Sequence, residues 1–170
     1  MIHRIRVSPH RASLAALAAF SSLVLATAAH AEEKGCIELK TTAETEQQYV
    51  NDQGQKATRL APLGKVVPGD QVIWTITAKN ICNKPADHIV IDNAVPEHMK
   101  LVADSAVGAG TVITYSVDGK QYGPVGTLSI KDANGTHTAN QEELRHLRWT
   151  YQAPFAAGTT AFVRYRAVIE

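Results

Sequence analysis

The stretch from Val66 to Pro96 constrains this chain more than any other, because it lays down a turn, a strand, a polar loop and a second strand in close succession. Pro68-Gly69-Asp70 is the turn. It releases the chain into Gln71 to Asn80, where Val72, Trp74, Ile76 and Ala78 alternate with Ile73, Thr75, Thr77 and Lys79. A period of two sustained over that length predicts a half-buried β-strand. After the polar loop Cys82 to Asp87, His88 to Asp92 is predicted as a further strand, closed by Asn93-Ala94-Val95-Pro96.

The same alternation recurs on both sides. Cys36 to Ala43 reads as a strand with Ile37 and Leu39 facing in, and Tyr49-Val50 leads through the turn Asn51-Asp52-Gln53-Gly54 to a returning strand, Ala57 to Leu60. Pro62 and Gly64 break that ladder. Leu101 to Gly110 is small and irregular, and Val112 to Val117 resumes the alternation before the hairpin signal Asp118-Gly119. Gly123-Pro124 and Gly126 interrupt the return arm, so Thr127 to Ile130 is expected as a separate short strand. Asp132 to Asn140 reads as a polar loop with its own turn at Asn134-Gly135. Leu147, Trp149 and Tyr151 then alternate with Arg148 and Thr150, and in the last strand, Thr160 to Ile169, Val163, Tyr165, Ala167 and Ile169 oppose Phe162, Arg164, Arg166 and Val168. Antiparallel strands numbering about seven to eight, punctuated by Gly and Pro, are the pattern of an all-β, immunoglobulin-like β-sandwich.

The N-terminus carries a different kind of signal. Arg4, Arg6 and Arg11 precede the apolar run Leu14 to Ala29, and Ala29-His30-Ala31 places small residues at a cleavage position. Residues 1–31 are therefore expected to be a cleaved signal peptide, and 32–170 a single domain. The run falls short of the roughly 20 residues that span a bilayer. Glu33-Lys34-Gly35 before Cys36 is too polar for a lipoprotein site. Removing three arginines from the 17 basic residues leaves 14 against 16 acidic ones, a formal charge of −2. The charges are interspersed, with no basic stripe, so no nucleic-acid partner is expected, and no membrane insertion after cleavage.

Cys36 and Cys82 both follow the cleavage point, and an exported chain meets an oxidising compartment, so a disulfide is expected. If the first strand pairs antiparallel with Gln71 to Asn80, the start of one lies beside the end of the other. The closed loop is long enough for a stabilisation on the order of 4 kcal/mol. A redox pair or a metal thiolate is the alternative, and the close spacing of such sites is missing.

Val67-Pro68-Gly69-Asp70, the strand Val72 to Thr77, Asn80, Pro96, Leu147-Arg148-Trp149, Ala157-Gly158 and Val163 to Val168 together resemble the bacterial "domain of unknown function eleven" family over about residues 40 to 170. That resemblance implies an immunoglobulin-like sandwich of the kind that recurs in tandem in large exported surface proteins as a structural spacer. This chain differs in holding one copy, and in carrying Asn93 where many relatives have aspartate, with Asp92 one place earlier. The family implies no catalytic residues.

No Gly-x-Ser-x-Gly elbow is present, and no nucleophile and base are paired by the sequence, so no enzyme and no cofactor are expected. Asp87, His88 and Asp92 sit together, but as a solvated strand face, with His88 and Asp92 flanking Val90. His98-Met99, His137 and His146 are donor types that suit copper, yet no two share a ligand-like spacing. Trp74 and Trp149 offer sugar-stacking faces, but their alternation with apolar neighbours places them in the core. Arg164 and Arg166 are expected to pair with acids on a neighbouring strand or to blunt an exposed edge. The expectation is a periplasmic or secreted, non-catalytic β-sandwich with a structural or adhesive role. Its partner would be an envelope or surface protein, or a second copy of itself. The alternative is a periplasmic small-ligand or metal-binding protein.

Overall fold

The computed structural model describes residues 35–133 and 135–170, so the expected signal peptide and Asn134 lie outside the described residues. In chain order the elements are β1 (Ile37–Val50), β2 (Lys56–Pro62), β3 (Gln71–Asn80), β4 (Val90–Ala94), β5 (Met99–Leu101), β6 (Val107–Gly108), β7 (Thr111–Ser116), β8 (Ser129–Asp132), β9 (Gly135–Thr138), a 3-10 turn Gln141–Glu143, β10 (His146–Tyr151) and β11 (Thr160–Ile169). Every strand pairing is antiparallel.

The larger sheet runs β2-β1-β3-β11-β5, with β6 also on β11, and the smaller runs β4-β10-β7. A separate ribbon joins β8 to β9. The inner residues of β3 and β11 pair directly: Ile76 with Val163, Trp74 with Tyr165, Val72 with Ala167. Ile76, Val163, Tyr165 and Ala167 pack with Ile91 of β4 and Leu147, Trp149 and Tyr151 of β10 in one buried cluster, with Trp74 partly buried against it. Period-two patterning thus delivers two apolar faces that close on each other, the physical content of a β-sandwich. Trp149 and Tyr165 join the layers with ring centroids 6.2 Å apart, and β6 crosses them at Gly108, where a Cβ would stand 2.9 Å from the Trp149 ring.

β3 is buried on both faces. On the outer one Ile73 is 1% exposed, because long side chains from its neighbours lie over it. Arg166 of β11 reaches past β3 to Glu46 of β1 at 2.6 Å, and Arg164 donates to Thr75 Oγ1 at 3.0 Å. Only Arg166 thus meets an acid, and on β1, one strand beyond the neighbouring strand where the pairing was expected; Arg164 meets a threonine instead. The Pro68-Gly69-Asp70 turn is equally built in. Val67 N–H donates to Asp70 Oδ2, Gly69 N–H to the carbonyl of Ile169, and Ile169 N–H to the carbonyl of Asp70. Gly69 has φ 94°, where a side chain is strained.

Cys36 and Cys82 form a disulfide, and β1 pairs β3 with Ile37 opposite Asn80, the antiparallel arrangement expected. Several expectations need correction. Eleven strands replace seven or eight among the described residues; β5, β6 and β9, which were not expected, are too short or too polar to show alternation. The strand expected at His88 to Asp92 begins at Val90, because His88 has φ 55° and breaks the extended backbone. Part of the expected polar loop at Asp132 to Asn140 is β9, held to β8 by a ladder of backbone hydrogen bonds while its side chains stay exposed. The separate short strand expected at Thr127 to Ile130 starts at Ser129. Leu39 shares the inner face but is 52% exposed, because the larger sheet overhangs the three-stranded one at β1. Trp149 is fully buried as expected, whereas Trp74, nearer the overhang, is only partly buried against Tyr165.

Candidate interaction surface

Asn80, at the end of β3, is fully buried and shows how little of its chemistry is free. Its Nδ2 donates to the carbonyls of Lys84, Phe155 and Ala156, and its Oδ1 accepts from Cys82 N–H. With the disulfide and the Ala86–Phe155 bridge, these bonds tie down the loop of residues 81–87 from several sides. Ile81 stays 52% exposed on that loop.

Asp92 and His88 do not act together. Asp92 is held in a two-point ion pair by Arg148 of β10, at 2.6 and 2.8 Å, and Arg148 lies 3.8 Å over the ring of Tyr122. The loop of residues 119–126 is thereby fastened to β10 and, through Gly123, to Tyr115 of β7. Asn93 donates to the hydroxyl of Tyr165 at 2.8 Å, a neutral bond where an aspartate would bring charge to a half-buried site.

The histidines fall in two places. His137 of β9 meets Glu143 at 3.0 Å, and this hydrogen bond raises its pKa above the ordinary 6.5. The carboxyl of Glu143 is lowered below its ordinary 4.5, first by the backbone N–H of Asn140 in a capping box and then by His137. Such a pair fastens the 3-10 turn to the β8–β9 ribbon. His98 and His146 line one cleft together with Glu97, Arg145 and Glu170, a proximity that their sequence separation concealed. Met99 turns its carbonyl to Arg145. Among the described residues no three His, Cys, Asp or Glu side chains converge as a metal site.

What remains open is backbone. β1 pairs with β3 only from Ile37 to Glu44, and with β2 only from Glu44 to Val50. Cys36 presents its carbonyl to Ile81 N–H on the β3 side, whereas Ala43 presents its carbonyl to Leu63 N–H on the other. Peptide groups alternate along a strand, so Ile37, Leu39 and Thr41 direct N–H and C=O away from β3. No described residue pairs with them there. The far half of the β1–β2 hairpin projects beyond β3 with Tyr49 and Val50 exposed. Sequence reasoning placed the first part of β1, Cys36 to Ala43, but missed its unbroken run on to Val50 and its free edge, because hydrogen-bonding direction depends on where β2 leaves off, and only the turn at Pro62 hinted at that.

The chain matches no family model, no curated protein and no solved structure.

Proposed function

We propose that this chain is an exported, non-catalytic, immunoglobulin-like β-sandwich with a structural or adhesive role in the cell envelope, working through its strand edges and loops. One observation carries the reading: Asn80, Asp92, His137, Arg164 and Arg166 are spent on holding the fold, while the β1 edge and the β1–β2 hairpin are exposed. Strand edges capture extended segments by completing their ladder. The immunoglobulin-like assignment draws support from the two face-to-face antiparallel sheets. Its motifs also have structural work, since the Val67-to-Asp70 turn clips β11 and Asn80 ties down the adjoining loop. An extracytoplasmic location is supported by the disulfide; no helix among the described residues is long and apolar enough to cross a membrane.

In-cell crosslinking from residues 81–87 and 119–126, read by mass spectrometry, tests this. A defined envelope-protein partner is expected. The cleft shared by His98 and His146 favours a second reading, a small-ligand or metal-binding periplasmic protein. Stoichiometric copper or zinc in protein handled free of metal, lost on His98→Ala or His146→Ala, would replace the first reading with the second.

A further inference from the structure

The free edge of β1 has a sequence that specifies what covers it. We propose that the chain forms a two-fold symmetric dimer, in which residues 37–41 pair antiparallel with the same residues of a second copy, centred on Leu39. The proposal rests on the edge-capture reading above and deepens it by naming the occupant.

Ile37, Leu39 and Thr41 carry the outward peptide groups, so only registers that set these residues against one another let two copies exchange hydrogen bonds. Centring the pair on Glu38 sets that carboxylate against itself, and centring it on Lys40 sets the ammonium against itself. Centring it on Leu39 sets Glu38 of each copy against Lys40 of the other. These are non-hydrogen-bonded positions, where cross-strand side chains come closest.

The same register places Leu39, 52% exposed, against Leu39 of the second copy, and Ile37 against Thr41. Both charges are available. Glu38 stands opposite Lys79 and Lys40 opposite Thr77 in the β1–β3 register, but neither makes an ion pair among the described residues. β2 joins β1 only from Glu44 onward, past the paired stretch, and leaves the edge open. A lone lysine protects an edge strand by repelling its like. With a glutamate two places before it, the lysine on β1 instead meets an acid, and the two larger sheets become one continuous sheet.

Sedimentation velocity on the disulfide-intact protein at low salt tests this. The expected result is a dimer whose affinity falls at least about tenfold in E38K and in K40E, because each substitution sets like charges opposite one another. Mixing the two variants in equal amounts restores association as a heterodimer, and so does the double variant E38K/K40E. L39P deletes an N–H that points away from β3, so it spares the monomer ladder and removes the central pair of the dimer. Unfolding midpoints check that it folds, and if it does not, the charge swap decides alone. A protein that stays monomeric to about 1 mM, or a dimer indifferent to both charge variants, overturns the proposal. A monomer that still crosslinks to an envelope protein overturns the dimer and leaves the proposed function standing. Charge-swap dimerisation together with stoichiometric metal at His98 or His146 does the reverse.

Discussion

Asn80 concentrates more of the fold in one side chain than any other polar residue described. Asn80→Ala takes the side-chain partner from the Lys84 carbonyl and the Cys82 N–H at a buried strand end, and removes a second donor from the Phe155 and Ala156 carbonyls, which keep the N–H groups of Ala86 and Thr159. The expected loss is about 2–4 kcal/mol by urea unfolding, since unmade buried hydrogen bonds cost their desolvation. Loss of under about 0.5 kcal/mol would mean that the loop carbonyls find other partners. His137 makes the contrasting case of an exposed pair that reports on pH. Its folded pKa is raised, so its stabilising effect is complete below the ordinary 6.5 and fades as pH rises through the higher folded value. Glu143 is lowered, so its share is complete above 4.5 and fades as pH falls through the lower folded value. The bond is therefore strongest between those limits. NMR titration of the histidine ring should show a pKa above that of a free histidine, returning toward it in Glu143→Gln.

At the scale of elements, the disulfide anchors the start of β1 to the end of β3, where the free edge begins. Thiol labelling of the unreduced protein should find no free cysteine, and Cys36→Ser/Cys82→Ser should lower stability by about 2–4 kcal/mol. Two reactive thiols in freshly purified protein would contradict the pairing. β10 and β11 were legible residue by residue, because both faces of their alternation matter: Leu147, Trp149 and Tyr151 go inward while Arg148 goes to Asp92; β3 was legible in its span, but its outer face, expected to be open, is covered at Ile73 and Thr75. The β8–β9 ribbon was only half legible. Thr136, His137 and Thr138 are exposed, and a strand whose side chains are polar and stay in water leaves no hydrophobic signature. The His98–His146 cleft and the bond between Asn93 and Tyr165 were invisible for another reason. Each depends on how the two sheets face each other, which no local pattern encodes. Leu39 was misplaced because alternation gives a face but not the width of the sheet opposite.

At the scale of the whole molecule, Trp149 joins the two layers, touching Tyr165 across the core under β6. Trp149→Ala is expected to cost about 3–5 kcal/mol, a large share of the stability of a single domain. Thermal unfolding should register a fall of roughly 10 °C or more. Trp74→Ala, at the partly buried overhang, should cost distinctly less, and equal losses would contradict the uneven cover of the larger sheet.

The clip between the turn at Gly69 and the end of β11 also fixes an order of events in time. A chain emerges from synthesis N-terminus first, and β1, β2 and β3 can find one another early. The other side of β3 has to wait for residues 160–169, and so do the Gly69 and Asp70 bonds to Ile169. Pairings that span such a stretch of sequence close slowly. Until residues 160–169 arrive, the central strand has a bare edge and an uncovered Ile73, so the fold of residues 35–159 stays open on that side for as long as those ten residues are unmade.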